Sequence, residues 1–190
     1  MDIIRRIPVL VWFLIPTVLI VGVGVWFFSK GAAGNVDETK PLAVSKPVAG
    51  VAEFKIVGRN HVPVGTVVKT YNSNPPTSGP HWPSPAKNGI YDSQIPDEQL
   101  VHNLEHGYIW VSYRPSATES AGISDDDKKK LGAIVAGDNW KMIMTPRPQD
   151  DSKIILAAWG RLLKMNDLDI DKIKEFIKVY RNRGPENTPD

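Results

Sequence analysis

Residues 101–107, VHNLEHG, place His102 and His106 four apart with Glu105 immediately before the second. Two imidazoles at i and i+4 share one helical face and can grip a single metal ion, the geometry that makes H-E-x-x-H effective. H-x-x-E-H is itself the order found in inverzincin hydrolases, where two histidines hold zinc and the glutamate acts as general base on the metal-bound water. The other two histidines of the chain, His61 in GRNHV and His81 in NPPTSGPHW, lie in turn-rich segments upstream. Four imidazoles are enough to build a metal centre. They are equally compatible with a solvated helix face and a few turn-stabilising hydrogen bonds.

Helical phase sorts the residues of this stretch. At about 100° per residue, Leu100, Val101 and Leu104 fall on one side, and Glu105, His102 and His106 on the other. The polar face is therefore free to do chemistry while the apolar face packs. A hydrolase needs a third ligand from downstream, and Glu119 and Glu175 lie in stretches that read as surface. A Ser78–His81 or Thr77–His81 nucleophile pair is weaker still. There is no G-x-S-x-G elbow, and loop hydroxyls beside proline usually close turns through their own backbone. Met142 and Met144, two apart in KMIMT, share one face of a strand. Thioethers beside imidazoles favour Cu(I), whereas methionine pairs on strands most often pack a core. Trp82, Trp110, Trp140 and Trp159 read as core or loop anchors.

The elements that position these residues alternate in type. FKIV (54–57) and TVVKTY (66–71) read as strands, followed by a proline-rich loop that can be neither helix nor central strand. Residues 97–106 read as a short helix between Pro96 and Gly107. YIWVSY (108–113), KMIMT (141–145) and IILAAWG (154–160) are strand-like. Ser124 caps a helix over 125–136. The segment 169–182 aligns Ile170, Ile173, Phe176, Ile177 and Tyr180 on one helical stripe. The expectation is one α+β domain at 51–184 with four or five strands and two or three helices, ending in a polar tail at 185–190.

Upstream, Ile7 to Phe28 contains no charged residue, long enough for a membrane helix. Arg5 and Arg6 precede it, which favours a cytoplasmic N-terminus and an extracytoplasmic domain. A signal peptide's apolar core is shorter, so residues 1–30 read as a retained single-pass anchor in the cell membrane. Residues 31–50 then read as a flexible linker. The chain has no cysteine, excluding disulfides, thiolate metal sites and a thiol nucleophile. Beyond residue 30 the 20 basic and 20 acidic side chains balance, which is not the electrostatic footprint of a nucleic-acid binder.

Taken together, GRNHV, YNSNPPTSGPHW, VHNLEHGYIWVSY, MTPRP, AAWGR and EFIKVYRNRGPE resemble the bacterial domain-of-unknown-function family numbered 3105, over residues 54–186. The family's members typically carry an N-terminal membrane segment followed by this one domain, and its recurring histidines correspond to His61, His81, His102 and His106. The resemblance implies that these four are ligands of one transition metal, with copper the first expectation and zinc the second. Glu105 and Asn103 would orient the imidazoles. The expected role is metal handling or support of a membrane complex through a membrane-protein partner. The alternatives are the zinc hydrolase and a non-catalytic interaction module that presents Tyr71–Trp82 and the HNLEHG turn as a rigid surface to a membrane partner.

Overall fold

The computed structural model describes residues 15–23, 37–116, 122–186 and 188–189. By its contacts the chain divides into two units, Met1–Asp37 and Glu38–Asp190. In the first, residues 15–23 are helical (α1). No helix among the described residues is long and apolar enough to cross a membrane. Most of the expected span at 7–28 lies outside the described residues.

The second unit is an α+β domain built on one mixed sheet of six strands. Its elements are β1 (Val51–Glu53), β2 (Gly89–Ile90), α2 (Asp97–Glu105), β3 (Ile109–Tyr113), α3 (Asp125–Gly137), β4 (Met142–Pro146), β5 (Ile154–Ala158), β6 (Arg161–Met165) and α4 (Ile170–Tyr180). The strand order is β1-β6-β5-β3-β4-β2. β3 and β4 run parallel, with Ile109 beside Met142 and Trp110 beside Ile143, and α3 makes the crossover between them. β5 and β6 add antiparallel strands on the other side of β3.

Strand periodicity divides the core into two layers. Ile109, Val111, Met142, Met144, Ile154, Leu156 and Leu163 face one way. Leu131 and Val135 of α3 and Ile173, Phe176 and Tyr180 of α4 cover them. Trp110, Ile143, Ile155, Ala157 and Leu162 face the other way, onto Leu100, Val101 and Leu104 of α2. The helix ends follow local chemistry. Ser124 accepts a hydrogen bond from the Asp127 amide and Asp169 from the Lys172 amide, supplying partners for first-turn donors.

Four sequence expectations are corrected. Among the described residues there are six strands, not four or five. TVVKTY forms no strand: Val67 is among the most exposed apolar side chains, with no sheet edge to cover it. FKIV is likewise outside the ladder, although Ile56 is buried beneath the loop. Three strands are unforeseen, β1, β2 and β6; β6 begins at Arg161, a charged residue that is 2% exposed and donates to the Glu53 carboxylate and the Leu42 carbonyl. Part of the stretch read as linker also packs on the domain. Val48 is buried in the α4 layer, and its amide donates to the Tyr180 hydroxyl at 3.0 Å.

Phe176 fills the centre of that layer, fully buried and 4.7 Å between centroids from Tyr180. Phe176→Ala is expected to destabilise the domain by about 3–5 kcal/mol through lost transfer energy and a residual cavity. Urea denaturation followed by circular dichroism checks it: the midpoint should fall with an unchanged slope.

Candidate metal centre

α2 carries the VHNLEHG residues, and its polar face is not solvated. Every residue from Leu100 to Glu105 is buried. The cover is the loop from Gly58 to Ala86, which folds over that face and brings its own two histidines with it. Inside the loop, His61 and His81 form an isolated parallel bridge. The Val62 amide donates to the His81 carbonyl at 2.8 Å, and the His81 amide to the Asn60 carbonyl at 3.0 Å.

Two side chains of α2 fasten the loop. Glu98 accepts from the Val68 amide at 2.8 Å. Asn103 both donates to the Ala86 carbonyl (2.8 Å) and accepts from the Ala86 amide (2.9 Å). Asn103 therefore holds loop backbone, in place of the expected contact with an imidazole.

A third fastening is Arg147, 4% exposed at the end of β4. Its guanidinium donates to Asp97 in the first turn of α2, to Asn74 of the loop and to Asp150, at 2.6–3.2 Å. These carboxylates hold its charge more firmly than usual, against the effect of burial.

Three imidazoles and one carboxylate meet under this cover. His61, His81, His102 and Glu105 each offer one ligand atom, and all four atoms lie within 4.8 Å of one another. The rings of His61 and His102 are stacked at 5.1 Å, and His81 stands edge-on to both at 5.0 Å. His81 is wholly buried and Glu105 is 1% exposed, whereas His61 faces solvent.

The ring orientations are set from behind. His81 Nδ1 lies 2.9 Å from the Gly79 carbonyl, and His102 Nδ1 lies 2.7 Å from the Trp82 carbonyl. A carbonyl only accepts, so both Nδ1 atoms carry the proton. In a neutral ring each Nε2 then presents a lone pair toward the cluster. His81 Nε2 and Glu105 Oε2 are 3.0 Å apart and buried, and neither has another partner among the described residues. Burial lowers the His102 pKa, and the neighbouring His106 and His81 add to this against the Trp82 carbonyl. Burial alone would raise the Glu105 carboxyl, but the imidazoles around it, His81 first, hold it below the usual range. The cluster thus combines imidazole nitrogens with a carboxylate held in its ionised form, a set suited to a borderline transition-metal dication.

His106 stands one ring further out. Its Nε2 is 3.1 Å from His102 Nε2 and 3.4 Å from a Glu186 oxygen. Glu186 is brought there by the C-terminal segment, which docks on the end of α2. The Asn182 amide donates to the Gly107 carbonyl and the Glu186 amide to the Glu105 carbonyl. Lys141, 1% exposed, gathers the carbonyls of His106 and Thr188 and the Asn182 side chain. Two glycines permit the approach. Gly107 has φ +80°, and a Cβ there would lie 2.7 Å from the Asn182 Cα; a Cβ on Gly184 would collide with the Glu105 carbonyl. The segment read as a polar tail is a wall of the site. Its acid–amide composition, PENTPD, carries no periodic signal that could have revealed this.

The remaining candidates fall elsewhere. Met142 and Met144 are core residues on the α3–α4 face of the sheet, opposite α2, so no thioether reaches the histidines. Ser78 Oγ accepts from the Val57 amide and the Thr77 hydroxyl pairs with Ser73. Neither forms a pair with His81. Residues 75–79 are buried, which removes the centre of the Tyr71–Trp82 stretch from any partner surface. The Glu105 carboxylate lies among the imidazoles, buried beneath the loop.

Two outcomes check this construction. Arg147→Met strands Asp97 and Asp150 without their buried partner, and a loss of about 3–5 kcal/mol in denaturation is expected. Gly184→Ala should dislodge the C-terminal segment at a cost of about 1–3 kcal/mol. Hydrogen exchange should then rise roughly tenfold or more at the Glu186 amide while β3 amides stay protected.

No curated protein and no solved structure matches the chain. A family model does: it covers residues 61–190, from the first histidine of the cluster to the docked C-terminal segment. The chain belongs to the family described as protein of unknown function, DUF3105.

Proposed function

We propose that this domain binds one transition-metal dication through His61, His81, His102 and Glu105, and that it acts in metal handling or in support of a membrane complex. The observation that carries the reading is the pair His81 Nε2 and Glu105 Oε2, buried 3.0 Å apart with no other partner among the described residues. With His81 protonated only on Nδ1, two lone pairs face each other in a low-dielectric setting and repel, and a cation bound by both removes the cost. The Nδ1 contacts to the Gly79 and Trp82 carbonyls are the outer-sphere bonds that metal-ligating histidines characteristically make.

Copper(II) is the first expectation and zinc the second. Three imidazoles and a carboxylate suit both, and at a given nitrogen–oxygen site copper(II) binds more tightly than zinc. Copper(I) loses its support with the methionines turned to the other face of the sheet. The charge-free run from Ile7 to Phe28 behind Arg5 and Arg6 supports a single-pass anchor with the domain outside the cytoplasm.

The competing account of the pair is an imidazolium–carboxylate contact with no metal. Purified full-length chain, stripped with a chelator and then exposed to copper(II) or zinc, distinguishes the two. At least one ion per chain should remain after gel filtration, measured by elemental analysis. His81→Ala and His102→Ala should weaken binding by about a hundredfold or more, beyond the range of outer-sphere changes. Wild-type chain that retains neither metal at micromolar concentration sinks the proposal.

A further inference from the structure

We infer that Glu105, His106 and Glu186 form a second metal position beside the first, with the Glu105 carboxylate shared between the two. This rests on the inner cluster being a metal centre, and it adds a second cation of the same class. These three residues also offer ligand atoms that all lie within 4.8 Å of one another. Glu105 is the one residue common to both sets. A carboxylate has two oxygens, each able to hold a different cation, and carboxylate-rich two-metal sites keep their ions about 3.5–4 Å apart.

The placement of His106 and Glu186 is built into the fold. His106 follows the last turn of α2, and its carbonyl is held by Lys141 at 2.9 Å. Glu186 is fixed through its backbone, by the bond from its amide to the Glu105 carbonyl, so its side chain is left to meet His106. The close packing of Gly184 on Glu105 and Gly107 fixes the height of that segment above the helix end. The His106 and Glu186 side chains are 13% and 47% exposed, against 0% and 2% for His81 and Glu105. The outer position therefore meets an ion from solution directly, while the inner one is roofed by the loop.

Without a second ion, His106 is an outer neighbour of the cluster, its Nε2 set 3.1 Å from His102 Nε2. With one, His106 Nε2 is a donor to the cation, and the 3.1 Å between the two nitrogens becomes a separation between ligands of adjacent ions. Glu186, half exposed, then supplies the negative charge that offsets the second dication.

The test uses full-length chain in detergent, loaded with copper(II) alone. Elemental analysis after gel filtration should give two ions per wild-type chain. Because a shared carboxylate couples the two spins, the integrated paramagnetic resonance should fall well short of the copper present. Glu186→Ala and His106→Ala should each bind one ion with full resonance intensity, and circular dichroism should match wild type. One uncoupled ion in the wild type overturns the second position and leaves the inner site standing. Two ions retained in both variants overturn it as well, since the second then lies elsewhere. No ion in the wild type overturns both readings, and His81→Ala separates them: it should remove the inner ion whatever the outer residues do.

Discussion

A guanidinium taken out of water has to find anionic and carbonyl partners in fixed directions, and Arg147 meets that demand with three different parts of the chain. Asp97 opens α2, Asn74 sits mid-way along the covering loop, and Asp150 begins the turn toward β5. Asp150 also accepts from Ser112 on β3. A buried charge is costly unless fully paired, so these segments are held together by the penalty of parting them as much as by their attraction. The loop has little regular structure of its own, and its course over α2 depends on such fastenings. Glu98, Asn103 and Arg147 divide the work along its length.

The sheet supplies the rigid base beneath. Its two faces are served by different helices, α3 and α4 on one and α2 on the other, so the histidine-bearing helix does not share the main aliphatic layer. Leu100, Val101 and Leu104 fix the roll of α2 against Trp110 and Ile143. That roll aims His102 and Glu105 away from the sheet and into the loop. Positioning thus passes from strand register to helix roll to ring orientation, each step decided by packing or by a hydrogen bond of known direction.

Much of this was legible in the residues, unevenly. Helical phase correctly separated Leu100, Val101 and Leu104 from His102, Glu105 and His106, because burial on one side leaves a 3.6-residue signature. It could not say what covers the polar side. That cover is a proline-rich loop whose contacts are backbone to side chain and leave no periodic pattern. TVVKTY has strand-like residues, but propensity yields where no neighbouring edge offers hydrogen bonds. β6 escaped notice because Arg161 and Lys164 break the apolar alternation, although Arg161 is buried by its pairing with Glu53. The role of Glu105 among the imidazoles, and the nearness of Glu186 across eighty residues of chain, are facts of tertiary structure alone.

The docking of the C-terminal segment has a consequence for biogenesis. The cluster draws on residues 61, 81, 102 and 105, and its outer wall on residues 141, 186 and 188. Contacts so distant in sequence form late, since loop closure must precede any gain from them. A chain emerging from a ribosome or a translocation pore therefore carries all four histidines long before it can shelter them. Until Glu186 and Thr188 arrive, the imidazoles lie open to whatever ions the compartment contains. Final enclosure is deferred until the segment around Glu186 has been made, which gives the ordering of synthesis a direct hold over when the pocket closes.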